Sequence, residues 1–506
     1  MSTWILAIDA GTTGVRCRAV FPDERPSVSS YREFTQHFPQ PGWVEHDADE
    51  IWDAVVTTFR ELLDRIAATS GIDRLPTAIG ITNQRETVVA WDRRDGRTVG
   101  RAIVWQDRRT ADFCRRLEDE GRLPLVRRTS GLVLDPYFSG SKMRWILDER
   151  LGGEAPAGLV LATVDSWLVW KLTGGRELVT DVSNASRTML LDITSRTWSD
   201  EVAEMLGVPL RCLPEVRPSS GRFGVTDCDE LPTGIPVSGI AGDQQAALFG
   251  QACFEPGATK NTYGTGSFVL MNVGTECPPP VDGLLTTIGW TIGEGTASRT
   301  TYAYEGAIFV TGAAIQWLRD GLGIISTAGE VGPLAAEVPD SGGVVVVPAF
   351  TGLGSPWWDP WARGTIVGIT RGTSRAHIAR AVVESMALQV RDAVEAMSGA
   401  SGVAVSDLRV DGGASVMDLL LQIQADQLGI VVRRPVDQET TALGAALLAG
   451  LAEGVWTDLG AVAGRWRQDR AFEPSGDRTV AEALHRQWLR AVERSRSWAE
   501  SADDAG

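Results

Sequence analysis

Lysine is almost missing from this 506-residue chain: three occur, Lys142, Lys171 and Lys260, so arginine carries nearly all the positive charge. Positive charge is itself short, 48 Lys and Arg against 65 Asp and Glu, for a net charge of −17. A chain this acidic repels phosphate backbones and anionic lipid surfaces, which argues against nucleic-acid and membrane-surface partners. The six cysteines (Cys17, Cys114, Cys212, Cys228, Cys253, Cys277) are scattered, with no CxxC pair and no histidine at ligand spacing. That pattern points away from a disulfide framework or a structural zinc site and toward reduced thiols in a cytoplasm. No apolar run approaches the roughly 20 residues that span a bilayer. The start, Met1 to Asp9, lacks the basic n-region of a signal peptide. Two phosphate-binding signatures are absent as well. None of the lysines follows a glycine, which excludes the GxxxxGK[ST] loop, and GxGxxG does not occur.

What is present is a soluble, globular composition, 43% hydrophobic and 22% charged, in a chain long enough for two or three domains. The opening reads as a strand over Trp4–Ile8, a turn through Asp9-Ala-Gly-Thr-Thr-Gly14, and a strand over Cys17–Phe21. Ile51, Trp52, Val55, Phe59, Leu62 and Ile66 follow a 3.6 period and predict a helix capped by Asp47 or Asp49. Strands are expected at Ala78–Thr82, Thr87–Trp91 and Val344–Val347, and helices at His377–Met397, Leu443–Ala452 and Val480–Ala499. Strands alternating with helices argue for α/β layers. Near mid-chain the pattern repeats: Thr262-Tyr-Gly-Thr-Gly266 followed by the strand Ser267–Met271. We read this as an internal duplication, two lobes each presenting a Gly-Thr turn to a shared cleft, with the boundary near residues 245–260.

Each turn has the chemistry of an anion cradle. Glycine frees backbone N–H groups, threonine adds hydroxyls, and a nearby Asp can hold Mg²⁺ directly or through water. A third such element, Asp411-Gly-Gly-Ala-Ser415, follows a predicted strand.

In this order and spacing, Asp9-Ala-Gly-Thr-Thr, Tyr263-Gly-Thr-Gly and Asp411-Gly-Gly-Ala resemble the two phosphate loops and the adenosine motif of the actin/hexokinase/Hsp70 ATPases. More narrowly, Tyr137-Phe-Ser-Gly-Ser-Lys-Met-Arg-Trp145 resembles the first signature of the FGGY carbohydrate kinases. Gly364-Thr-Ile-Val-Gly-Ile369 with His377-Ile-Ala-Arg-Ala-Val-Val-Glu384 resembles the second. Gly80-Ile-Thr-Asn-Gln-Arg-Glu-Thr87, Asn184-Ala-Ser-Arg-Thr188 and Gly239-Ile-Ala-Gly-Asp-Gln-Gln245 are similar to the glycerol kinase branch. Relatives acting on larger ketoses usually lack the Asn83–Thr87 string, so glycerol is favoured over another polyol or sugar.

The resemblance implies a two-lobed α/β enzyme of the actin-like, ribonuclease-H-like ATPase fold, with lobes at residues 1–249 and 250–506 and the active site between them. It implies transfer of the ATP γ-phosphoryl group to glycerol with Mg²⁺, in a cytoplasmic homodimer or homotetramer. Polyol contacts carry over to Arg85, Glu86, Trp105, Tyr137, Asp243, Gln244 and Phe268, with Asp243 as catalytic base. Nucleotide contacts carry over to Gly11, Thr12, Thr13, Arg16, Thr265, Gly266, Gly312, Gln316, Gly413 and Met417, and Mg²⁺ to Asp9 and Asp243. Three departures stand out. Met417 occupies a position where the family has an Asn beside the adenine, and Ala10 one where close relatives have Gln. Asp227-Cys-Asp-Glu-Leu-Pro232 replaces the basic run of members inhibited by fructose bisphosphate, so no such inhibition is expected through that site.

Overall fold

The computed structural model describes residues 3–499, with Glu24, Ser70 and Glu294 excepted. The acidic tail Asp503-Asp504 lies outside the described residues.

One 13-stranded sheet runs through the molecule, and its strand order contains the same five-strand arrangement twice. In the first, Ile5–Ala10 and Gly14–Val20 form an antiparallel hairpin, extended by Val28–Glu33. Ala78–Asn83 lies parallel to the opening strand on its other side, and Pro236–Gly242 lies parallel beyond that. In the second, Thr259–Tyr263 and Ser267–Gly274 form the hairpin, Arg299–Ile308 extends it, and Asp407–Asp411 and Val431–Pro435 add in parallel. Each arrangement carries a helix between its third and fourth strands, Ala48–Ala67 in one and Arg375–Ser401 in the other, as parallel pairing requires. The paired Gly-Thr turns of the sequence therefore mark a duplicated structural unit. Ser220–Val225 and Leu285–Ile292 join the two into one sheet.

The local causes are visible in the residues. Residues 5–8, the apolar part of the opening strand, are covered on both faces, which suits their unbroken apolar run. The first long helix starts at Ala48 because the Asp47 side chain accepts the N–H groups of Asp49 and Glu50, one turn ahead of the periodic stripe. Ile51, Trp52, Val55, Phe59 and Leu62 then face the core beneath the first sheet unit. Two expected strands form outside the main sheet, and one expected helix ends early. Val88–Asp92 forms, but in a separate four-stranded sheet with Glu45–His46, Ala102–Ile103 and Leu159–Thr163. Val345–Val347 pairs with Thr365–Val367 in a two-stranded ribbon outside the main sheet. The last helix, Thr479–Ser495, stops where Arg496 turns extended, short of Ala499.

The helix Thr440–Ala452 belongs to the second unit in sequence but packs against Asp243–Gly250 of the first. Glycine makes that seat possible: a Cβ at Gly444 would lie 1.8 Å from the Ala246 carbonyl oxygen, and one at Gly250 would lie 2.1 Å from that of Thr440. Among the described residues no helix is long and apolar enough to cross a membrane.

Candidate active site

Both turns close in the same way. The Gly11 N–H donates to the Gly14 carbonyl at 3.0 Å, and the Gly264 N–H donates to the Gly266 carbonyl at 2.8 Å. Across the first hairpin Asp9 stands opposite Arg16. Burial pushes the Asp9 carboxyl up to about 7; the Arg16 charge opposes the rise and the Asp243 carboxylate adds to it. Arg16, expected to face phosphates, is engaged by the Glu439 carboxylate and lies 5.5 Å over the Tyr31 ring. The Thr12 hydroxyl accepts the Trp105 indole N–H at 2.9 Å, and the Thr13 hydroxyl lies 3.4 Å from the Tyr31 hydroxyl.

The second turn is docked onto the short helix Gly312–Gln316. The N–H groups of Thr311, Gly312 and Ala313 donate to the carbonyls of Gly264 and Thr265 at 2.9–3.0 Å. A Cβ at Gly312 would sit 2.5 Å from the Gly264 oxygen, so this approach needs glycine. A pocket of about 710 Å³ opens here, and Thr265, Gly312, Gln316, Gly413 and Met417 all line it. Met417 also rests against Gly332, whose added Cβ would meet the Met417 Cγ at 3.2 Å.

An adjoining pocket of about 510 Å³ shares Thr265 and is walled by Trp105, Tyr137, Gly266 and Phe268. Trp105 meets Tyr137 edge-to-face at 5.7 Å and Phe268 at 6.3 Å. Close to this aromatic wall lies a buried charge cluster. Arg85 and Glu86 sit in the bend that follows the strand Ala78–Asn83. Arg85 grips Glu305 with both terminal nitrogens, at 2.5 and 3.0 Å, and donates to the Tyr137 hydroxyl at 2.9 Å. Its Nε lies 3.4 Å from Glu86 and 3.3 Å from Asp243. Arg187 completes the set, donating to Glu86 at 2.7 Å and to Glu305 at 2.8 Å. Although burial works the other way, the guanidiniums of Arg187 and Arg85 hold the Glu305 carboxyl down at about 2.

Asp243 is the first residue of the helix Asp243–Gly250, preceded by Gly242 as its cap. Its side chain keeps 32% exposure while the rest of the cluster is covered. Burial raises its pKa; Arg85 and Lys260 oppose the rise and Glu86 adds to it. A carboxylate raised by burial and left open on one side is equipped to accept a proton from a bound hydroxyl. Gln244, expected to help hold substrate, gives its amide oxygen to Lys260 at 2.5 Å.

The Arg85, Glu86, Tyr137 and Asp243 side chains meet as the sequence implied, with Trp105 and Phe268 beside them. Glu305, Arg187, Lys260 and Gln245, whose side-chain oxygen accepts from Arg85 at 3.2 Å, were missed. Glu305 had one signal, a lone carboxylate inside the otherwise uncharged run Thr300–Ile308. Lys260 had another, one of three lysines in a strand that reaches the second turn. Burial lowers the Lys260 ammonium to about 8 against the pull of Asp411 and Asp243. Among the described residues no three His, Cys, Asp or Glu side chains gather as a protein-only metal site. Two hard carboxylates close enough to raise the pKa of one do suit Mg²⁺, which takes few protein ligands alongside phosphate oxygens and water.

Two family models match the chain. The N-terminal domain of the FGGY family of carbohydrate kinases matches residues 4–250, and its C-terminal domain matches residues 259–453. The chain is 52% identical to a glycerol kinase of Bordetella parapertussis over 504 residues, covering 99% of this chain and 98% of that one. It is 53% identical to glycerol kinase 2 of Thermotoga maritima over 501 residues, covering 98% and 99%. The solved structure of Plasmodium falciparum glycerol kinase with ADP superimposes with a TM-score of 0.90 at 32% identity, covering 98% of both chains. Gluconate kinase from Lactobacillus acidophilus, at 20% identity and a TM-score of 0.86 over both full chains, shares the fold.

Proposed function

The chain belongs to the FGGY family of carbohydrate kinases, and from that premise we infer that it is a glycerol kinase, transferring the γ-phosphoryl group of ATP to glycerol to give sn-glycerol 3-phosphate. The observation that carries the site assignment is the Asp243 carboxylate 3.3 Å from Arg85 Nε, part exposed beside the aromatic wall.

Glycerol lies against Trp105 and Phe268, and its hydroxyls find partners in Arg85, Glu86 and the Tyr137 phenol. A pocket that satisfies each hydroxyl rejects an analogue lacking one, because its own buried polar groups are then left unpaired. The cluster is rigid before substrate arrives: Glu305 and Arg187 fix both ends of the Arg85–Glu86 pair. Asp243 accepts the proton of the attacking terminal hydroxyl. Adenosine occupies the 710 Å³ pocket, beside Met417 and Gln316, and its phosphates run between the Gly11–Thr13 and Gly264–Gly266 turns. Asp9 and Asp243 would hold Mg²⁺, which when bound would neutralise charge on the transferring phosphates. Phosphoryl transfer through a loose transition state asks the protein for alignment and charge compensation more than for covalent help. We place the reaction in the cytoplasm, in keeping with six free cysteines.

A coupled ADP-release assay across glycerol, erythritol, xylulose and gluconate, with and without Mg²⁺, tests the reading. Glycerol is expected to give the highest kcat/KM and chelation to abolish turnover. Preferred turnover of a larger sugar contradicts the substrate, and undiminished turnover in chelator contradicts the metal.

A further inference from the structure

The turn Gly11-Thr12-Thr13 is held from below by a directed chain of hydrogen bonds centred on a histidine that the phosphoryl-transfer scheme does not use. His46 is fully buried on the strand Glu45–His46 of the small sheet. Its Nε2 lies 2.6 Å from the Gln36 side-chain oxygen, and its Nδ1 lies 3.2 Å from the Gln84 side-chain nitrogen. Gln36 donates to the Thr12 carbonyl at 2.9 Å, and Gln84 donates to the Gly11 carbonyl at 3.1 Å. Those two carbonyls accept only, so they fix which end of each amide is nitrogen. The imidazole is then fixed in turn: Nδ1 accepts from Gln84 and Nε2–H donates to Gln36.

The chain continues to the substrate pocket. The Gln84 oxygen accepts the Thr87 hydroxyl at 2.7 Å, and Thr87 accepts the Trp105 backbone N–H at 3.2 Å. The Trp105 indole then returns to the Thr12 hydroxyl at 2.9 Å, closing a loop of bonds. Each donor and acceptor has one consistent role, which is what makes such a network stiff.

We propose that His46, acting through Gln36 and Gln84, is a positioning residue that holds the Gly11–Thr13 turn in register with the Trp105 wall. The proposal rests on the glycerol kinase reading for its kinetic readout, but not for its binding readout. His46 touches no reactant. Its effect is on where the first turn presents its N–H and hydroxyl groups to the nucleotide phosphates, and misplacement by about 1 Å can cost up to about 100-fold in rate.

The test compares the full-length wild type with His46→Leu, Gln36→Leu, the double variant and His46→Gln. Steady-state kinetics with glycerol and MgATP are measured beside calorimetric titration with a non-hydrolysable ATP analogue. His46→Leu and Gln36→Leu are each expected to lower kcat at least tenfold and to weaken the analogue. The KM for glycerol should change less than twofold, since Arg85, Glu86 and Tyr137 are untouched. The double variant is expected to be no worse than the poorer single one, and His46→Gln, which can both accept and donate, to recover part of the loss. Wild-type kinetics and analogue affinity in both leucine variants overturn the proposal, as do losses that multiply in the double variant. Should His46→Leu fail to fold, Gln36→Leu, whose side chain is only partly buried, decides by the same readouts. A wild type that leaves glycerol unphosphorylated overturns the substrate reading alone; analogue affinity unchanged across the variants then still overturns the relay.

Discussion

Asp243 and His46 show how one residue's surroundings decide its task. Asp243 keeps one side open and has its carboxyl raised by burial, so it can receive a proton and pass it on. Asp243→Asn removes the acceptor and keeps the shape. Turnover is expected to fall to background while the dissociation constant for the ATP analogue stays within about threefold, as calorimetry would show; undiminished turnover removes Asp243 from the base role. His46 is the opposite case. Burial, with His37 adding to it, lowers its pKa from 6.5 to about 4, so the folded protein holds it neutral. Between those two values the unfolded chain binds the proton and the folded one does not, so stability falls as pH falls from 6.5 toward 4. The full effect is on the order of 3 kcal/mol. Melting temperatures followed through that window should fall more steeply for wild type than for His46→Gln; parallel curves would contradict the buried neutral imidazole. Arg85, Glu86 and Asp243 were legible in the sequence because each sits in a string of neighbours that resembles a family motif. Glu305 was not, because its meaning comes from Arg85, 220 positions away along the chain.

At the scale of elements, the duplicated Gly-Thr turns were legible as short local patterns, since a tight strand-to-strand reversal is written in consecutive residues. Sheet membership was not: Val88–Asp92 has the composition of a strand, but which sheet it joins depends on the pairing with Leu159–Thr163, far along the chain. The Arg16–Glu439 pair likewise depends on a helix from the second unit reaching the first. That helix, Thr440–Ala452, is seated by close backbone approach at Gly444 and Gly250. Gly444→Val puts side-chain carbon where the Ala246 carbonyl stands and is expected to cost about 1–3 kcal/mol in chemical denaturation, the range for overpacked contacts. It should also lower kcat, because Asp243 opens the helix that would be pushed away. A variant as stable and active as wild type would show that the two helices separate freely.

Across the whole molecule, two copies of one five-strand unit are joined in a single sheet, and on the proposed reading both contribute to the chemistry. The first supplies Asp9, the Gly11–Thr13 turn, Arg85 and Asp243; the second supplies the Gly264–Gly266 turn, Phe268, Glu305 and the pocket around Met417. On that reading each half presents one Gly-Thr turn to the nucleotide, and the aromatic wall pairs Trp105 of the first with Phe268 of the second, so neither half alone completes the site. Crystals of the protein with glycerol and a non-hydrolysable ATP analogue address this most directly, through the position of the alcohol oxygen. The account predicts a terminal hydroxyl of glycerol within hydrogen-bond distance of the Asp243 carboxylate, in line with the γ-phosphorus held between the two Gly-Thr turns. A polyol bound away from Asp243 and Arg85, or a nucleotide outside the pocket lined by Thr265, Gly312 and Met417, would contradict it.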